Sequence, residues 1–373
     1  MNRREKKYHK AIEWLDSLNL NKIIPGLDRI TKLMKLLDNP QDKLKIIMVG
    51  GTNAKGSTCH NLNYNLNKTG VKTGCFTSPH LHTIRERVKL GNEMISIEEF
   101  TEIIFKLKNI NQEHDIGATY FEILTALAYY YFNDKEVDYA IMEIGLGGEW
   151  DAVNIGNAKI AILTTLGIDH VDYLGNTIEE IAITKSKIVK EESVLITGWG
   201  EKYHKYIPEC ESIDYGKNSD TWIELTLQKL KIKSSIEIIP VPGRFEKYEN
   251  FTLDVAHNKQ AIQYSMKKDK EYENVIIGIL EDKDIKDIVK ILPKKINLMA
   301  CNLPTERAIS AKKLSKIARS MQYHCSEYDN VKEAMKDAKK MKTLVTGSFY
   351  TVSEARQYLS LKGHSELLSL IHI

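Results

Sequence analysis

A lysine, a run of small residues and two closing hydroxyls crowd into one short stretch, Gly50-Gly51-Thr52-Asn53-Ala54-Lys55-Gly56-Ser57-Thr58. Loops of this kind bind phosphate. Their backbone N–H groups and the N-terminus of the helix that follows face the anion, the lysine adds charge, and a hydroxyl reaches Mg²⁺. The order Ala54-Lys55-Gly56-Ser57 departs from the strict Gly-Lys-Ser/Thr pattern. A glycine turn with a solvated lysine therefore stands beside the phosphate-loop reading.

Four other stretches carry groups able to work with such a loop. Phe76-Thr77-Ser78-Pro79-His80-Leu81 offers the Ser78 hydroxyl on a proline turn, a pattern that also serves purely structural turns. Glu143 lies inside the apolar run Tyr139 to Ile144, where a lone carboxylate costs several kcal/mol unless a cation or metal accompanies it. A structural ion pair would meet the same need. His170, read as ending a strand, has a ring nitrogen that could ligate a metal or simply hydrogen-bond at the surface. Arg244 in Pro242-Gly243-Arg244-Phe245-Glu246, with Asp254 and His257 in Asp254-Val255-Ala256-His257-Asn258, could grip a nucleotide or form salt bridges.

The elements that must position these groups alternate. Ile46 to Val49, Lys72 to Phe76, Tyr139 to Ile144 and Lys159 to Thr165 are short apolar runs, as in parallel strands buried on both faces. Helical spacing marks residues 8 to 18, Leu27 to Leu37, the stretch after the loop to about Lys68, Thr119 to Phe132, and residues 221 to 230. Beyond a linker near Ile238 to Pro242 the strand–helix rhythm restarts at Phe251 to Val255, Val275 to Leu280, Leu298 to Cys301 and Leu344 to Val345. This predicts an α/β sheet followed by a smaller doubly wound domain, with ligands at the carboxyl ends of the strands.

Composition narrows the class. A chain of 373 residues exceeds one ordinary core, and 42% hydrophobic with 28% charged residues suits a globular protein. Its 53 basic and 50 acidic residues leave a net charge of +3, and they are spread along the chain, so no nucleic-acid or membrane partner is expected. Five scattered cysteines, none in a CxxC pair, point to reduced thiols in a cytoplasmic protein.

Taken together and in order, these stretches resemble the folylpolyglutamate synthase and dihydrofolate synthase enzymes of the Mur-ligase superfamily. Gly26 to Ile30, Gly51 to Ser57, Phe76 to Leu81 with Glu86-Arg87, and Phe121-Glu122-Ile123-Leu124-Thr125-Ala126 are similar to that family's motifs. So are Glu143 to Asn154, Asp169 to Gly175 with Lys185, Pro242 to Glu246, Asp254 to Asn258, Gly278 to Asp284 and Thr346-Gly347-Ser348.

The resemblance implies a P-loop Mur-ligase-type ATPase domain over residues 1–238 and a Rossmann-like α/β domain over 239–373. It implies ATP held by Thr52, Asn53, Ala54, Lys55, Gly56, Ser57 and Thr58, with Arg244, Asp254 and His257 from the second domain. Ser57, Ser78, Glu143 and His170 would serve two Mg²⁺ sites. Lys55, Lys185 and His170 would be catalytic, Lys185 as a CO₂-derived carbamate. Arg29, Phe121 and Asp151 would meet the pteroate or folate substrate. The implied reaction joins that acid to L-glutamate through an acyl phosphate, in a monomer whose partners are small molecules.

Three departures from the family pattern stand out. Ala54 replaces a glycine, Glu149-Trp150 replaces an Arg-Leu pair, and the region between Lys185 and Pro242 is short, leaving Asn218 as a candidate nucleotide contact. A Mur-type ligase for another acid, and a nucleotide-binding regulator without catalysis, are the alternatives. Retention of Lys55, Ser57, Glu143, His170 and Lys185 together opposes the second.

Overall fold

The computed structural model describes residues 3–18 and 24–361. Contacts divide the chain into two units: Met1–Pro79 with Ile84–Ile239, and His80–Thr83 with Pro240–Ile373. Residues 80–83, read from the sequence as part of the first domain, thus group with the second unit.

The first unit is built on an eight-stranded sheet. Its strands are β1 (Ile46–Gly50), β2 (Thr73–Phe76), β3 (Val88–Leu90), β4 (Glu93–Met94), β5 (Tyr139–Glu143), β6 (Ala158–Leu163), β7 (Val194–Thr197) and β8 (Ser212–Tyr215). They run in the order β4-β3-β2-β5-β1-β6-β7-β8. Pairing is parallel from β2 to β8, and antiparallel where β3 and β4 extend the β2 edge. All five residues of β1 are buried, which is why its sequence is apolar without alternation. The chain passes from β5 on one side of β1 to β6 on the other, so β1 ends at a topological switch point.

The helices of this unit are α1 (Arg3–Ser17), α2 (Asp28–Lys35), α3 (Lys55–Lys68), α4 (Ile97–Glu113), α5 (Tyr120–Asp134), α6 (Val171–Leu174), α7 (Ile178–Ser186) and α8 (Ser219–Lys229). Capping boxes start α4 (Ser96 and Glu99), α5 (Thr119 and Glu122) and α7 (Thr177 and Glu180) by satisfying N–H groups that a helix leaves orphaned. Leu62, Leu66, Ile141, Ile162 and Trp222 pack α3 and α8 onto one face of the sheet.

The second unit holds a six-stranded sheet: β9 (Glu246–Tyr248), β10 (Phe251–Leu253), β11 (Asn274–Ile277), β12 (Asn297–Cys301), β13 (Cys325–Tyr328) and β14 (Thr343–Thr346). Their order is β13-β12-β11-β14-β10-β9, parallel except for the β9 edge. Helices α9 (Lys259–Lys268), α10 (Ile285–Lys290), α11 (Ala311–Ser320), α12 (Val331–Asp337) and α13 (Phe349–Tyr358) flank it. Separate apolar clusters, one around Val275 and Leu314 and one around Val345 and Val352, fill its two faces.

Strand β6 stops at Leu163, short of the expected Thr165. His170 consequently does not end a strand. It precedes α6 in a left-handed conformation, φ 52°, after a loop over 164–169.

Candidate active site

The site grows from the end of β1. Gly51 takes φ +131°, and a Cβ there would lie 2.0 Å from Thr164 Oγ1, so only glycine fits. The loop is then strapped to residues that follow β6. Thr52 N–H donates to the Thr165 carbonyl at 2.8 Å and Asn53 N–H to Thr165 Oγ1 at 2.9 Å. Thr164 Oγ1 donates to the Asn53 carbonyl at 2.8 Å, and Thr52 Oγ1 exchanges hydrogen bonds with Gly167. The sequence offered no local sign of Thr164 and Thr165 in this role, because the strap exists only once β1 pairs with β6.

Ala54 closes the loop at φ 68°, ψ 1°, a left-handed conformation that costs a non-glycine residue about 1–2 kcal/mol. Helix α3 begins at Lys55, and Gly56 is buried in its first turn while Ser57 is half-exposed. Thr58 points its hydroxyl back to the Ala54 carbonyl at 2.8 Å and meets Ser219 Oγ at 3.2 Å. Ser219 opens α8, whose cap is Asn218; the Asn218 side chain accepts from Thr221 N–H, so it serves the helix start.

Two lysines converge on the loop. Lys55 Nζ and Lys185 Nζ each lie 3.1 Å from the Gly51 carbonyl oxygen. Lys185 is buried near the end of α7. Burial, and then the charge of Lys55, bring its pKa down to about 7, against the opposing pull of Asp169 and Asp151.

On the neighbouring strand, Glu143 stands opposite Val49 in the β1–β5 register and is buried. Its Oε2 accepts from the Ser78 N–H at 2.9 Å, which brings the end of β5 and the end of β2 to the same edge. Asp169 is buried and accepts from His170 N–H at 2.9 Å, while the imidazole itself is about one-third exposed. Among the described residues no three His, Cys, Asp or Glu side chains cluster as a metal cage. The donors present, one buried carboxylate and hydroxyls at a helix start, suit Mg²⁺, which takes one or two carboxylates and completes its shell with phosphate and water.

The three residues expected at the substrate are held by the fold. Arg29 pairs with Glu122 through Nε at 3.2 Å and Nη2 at 3.1 Å. Phe121 packs 5.9 Å from Phe76, and Gly145 has no room for a Cβ because Phe121 Cζ would sit 2.7 Å away. Asp151 accepts from Leu146 N–H at 2.8 Å and Val153 N–H at 2.9 Å, folding the Gly145–Gly148 loop on itself. Burial nevertheless raises its pKa to about 6, outweighing those two donors. Trp150 beside it is exposed.

In the second unit, Asp254 is buried and accepts from Ser265 Oγ and from Ala256 N–H. His257 Nδ1 meets the Val255 carbonyl at 2.9 Å, and the Arg244 guanidinium lies 5.1 Å from the Phe349 ring centre.

The Mur ligase middle-domain family matches residues 49–256, from the end of β1 to just past β10. The dihydrofolate synthase/folylpolyglutamate synthase of Buchnera aphidicola subsp. Schizaphis graminum is 31% identical, over 95% of this chain and 96% of the relative. The chain belongs to this family of Mur-type ligases. E. coli FolC, solved in complex with DHPP and ADP, superposes on this family member with a TM-score of 0.85 at 26% identity, covering 94% of this chain and 97% of that one. A bifunctional folylpolyglutamate synthase/dihydrofolate synthase solved with Mn, AMPPNP and L-glutamate gives 0.83 at 25% identity, over 94% and 98%.

Proposed function

We propose that this ligase joins the carboxylate of dihydropteroate or a reduced folate to the amine of L-glutamate, with ATP converted to ADP and phosphate. The observation that carries the reading is the pair Lys55 and Lys185 on the Gly51 carbonyl, in a strapped loop beside buried Glu143. Ligands named in the solved relatives support it: ADP and DHPP in one, a nucleotide analogue, Mn and L-glutamate in another.

In the first step a substrate carboxylate oxygen attacks the γ-phosphorus and ADP leaves, giving an acyl phosphate. The glutamate amine then attacks the acyl carbon, and the tetrahedral intermediate expels phosphate and loses a proton. Lys55 and the N–H groups at the start of α3, residues 55–57, hold the phosphates, and their donors stabilise charge that builds on the phosphoryl oxygens. Glu143, the Ser57 and Ser78 hydroxyls and His170 would hold Mg²⁺, which supplies charge neutralisation at those oxygens when bound.

Lys185 carries a carbamate in this reading. A pKa near 7 leaves a large share of neutral amine at physiological pH, the form whose lone pair attacks the CO₂ carbon while its proton passes to solvent. The carbamate replaces a cation beside Lys55 by an anion. We read residues 1–238 as the ATP-binding domain and 239–373 as the second ligase domain.

The test is oxygen transfer. With the substrate carboxylate labelled in oxygen-18, one labelled atom should appear in released phosphate for each amide formed. Unlabelled phosphate would exclude the acyl-phosphate route.

A further inference from the structure

Helix α3 carries asparagine at positions 61, 63, 65 and 67. Asparagine is a poor interior helix residue because its amide competes for backbone groups, and burying the amide costs energy unless it is hydrogen-bonded. Asn61, Asn63 and Asn65 are nonetheless buried. Positions four apart share a helix face, and the two faces do different things.

Asn63 donates to the Gly91 carbonyl at 2.7 Å and, with Asn67, surrounds Thr73 Oγ1, so that face ties α3 to β2 and the β3–β4 turn. The other face holds the last residues of the first unit. Asn65 Nδ2 donates to the Glu237 carbonyl at 2.8 Å, and Glu237 N–H returns a bond to Asn65 Oδ1 at 2.9 Å. Ile239 N–H donates to Asn61 Oδ1 at 2.8 Å. Among the described residues, 237–239 have no strand partner, so the side-chain amides replace one. Ile239 is the last residue of the first unit, and the second resumes at Pro240. Asn61 has a second bond, from Nδ2 to the Ser57 carbonyl at 3.0 Å.

We propose that Asn61 and Asn65 are positioning residues that clamp segment 237–239 to the phosphate-loop helix, and that Asn61 links the Ser57 backbone to Ile239, so that filling the loop tightens the clamp. The second half rests on the nucleotide reading of residues 52–58. One amide group spans both ends, its donor on the loop helix and its acceptor on the linker. A shift of the Ser57 carbonyl therefore changes how firmly Ile239 is held.

The test is site-resolved hydrogen exchange on the full chain, with MgADP as the probe. In the free protein the Glu237 and Ile239 amides should be protected although they lie outside any strand or helix, and MgADP should increase protection at Ile239. Asn65→Leu removes the acceptor, and protection at Glu237 should fall about tenfold, the equivalent of one hydrogen bond. Asn65→Ser, too short to reach Glu237, serves if the leucine variant does not fold. Asn61→Asp keeps an acceptor for Ile239 but has no donor for Ser57, so basal protection should persist while the MgADP-dependent gain disappears. Undiminished protection in the Asn65 variants, or a full MgADP gain in Asn61→Asp, would overturn the proposal. Failure of the wild-type chain to bind MgADP would refute the nucleotide reading, while basal protection would still decide the clamp.

Discussion

Lys55 and Lys185 share an acceptor: both side-chain nitrogens lie 3.1 Å from the carbonyl oxygen of Gly51. Two ammonium groups so placed repel each other in a buried site, and the pKa of Lys185, near 7 against an ordinary 10.5, records that conflict after the larger effect of burial. Between those two values the unfolded chain holds a proton that the folded chain lacks. Stability contributed at this site therefore rises with pH through that window, and the penalty of a charged Lys185 is complete below about pH 7. Lys185→Met should remove this rise, measured as urea midpoints at about pH 6.5 and about pH 9. An unchanged pH slope would contradict the assignment.

Lys55→Met bears on the same pair. Without the Lys55 charge, the Lys185 pKa should rise and carbamate formation at neutral pH should fall. Carbon-13 NMR in labelled bicarbonate would read the carbamate directly, and an unaltered signal would separate the two lysines.

Gly51 is the tightest point of the loop. Gly51→Ala forces a methyl onto Thr164 Oγ1 at a φ of +131°, and should destabilise by about 2–4 kcal/mol while abolishing nucleotide binding. Adding Thr164→Ala should restore only part of the stability, because the backbone strain stays. Calorimetry of the single and double variants checks both statements.

Legibility of this site in the sequence followed locality. The loop and Glu143 could be placed because each sits at or near the end of an apolar run, whereas Lys185 rested on the family resemblance, with α7 unmarked in the sequence. Ala54 takes a positive φ, the conformation that suits the glycine it replaces. Thr164 and Thr165 were absorbed into a strand, since nothing local announces that β6 ends early to strap another loop. His170 was misplaced for the same reason. Helix α4 escaped notice although Ser96 and Glu99 form its capping box. Edge strands β8 and β13 lack the apolar run of the central strands, with burial alternating in β8 and only Cys325 fully buried in β13. The alternate asparagines of α3 were visible but had no meaning until residues 237–239 lay against them.

Asp151 titrates within reach of ordinary buffers. Burial lifts its pKa from 3.8 to about 6, so between those values the folded chain binds the extra proton and stability falls as pH rises. The cost of a buried charge is complete above about pH 6. Asp151→Asn should flatten the stability profile between about pH 4 and about pH 6, measured by thermal unfolding. A slope equal to wild type would place the titrating group elsewhere.

Glu143→Gln keeps an acceptor for the Ser78 N–H but removes the charge. The fold should persist, and the dependence of ADP binding on Mg²⁺ should be lost, with isothermal titration giving the same affinity with and without the cation. Retained Mg²⁺ dependence would move the metal site away from β5.

The most direct measurement is ADP release from MgATP by the purified chain, with 7,8-dihydropteroate or tetrahydrofolate and with L-glutamate present or absent. Release that needs both an acid and glutamate is predicted, in fixed ratio to amide formed. Nucleotide binding with no turnover on either acid, or release that ignores glutamate, would contradict it.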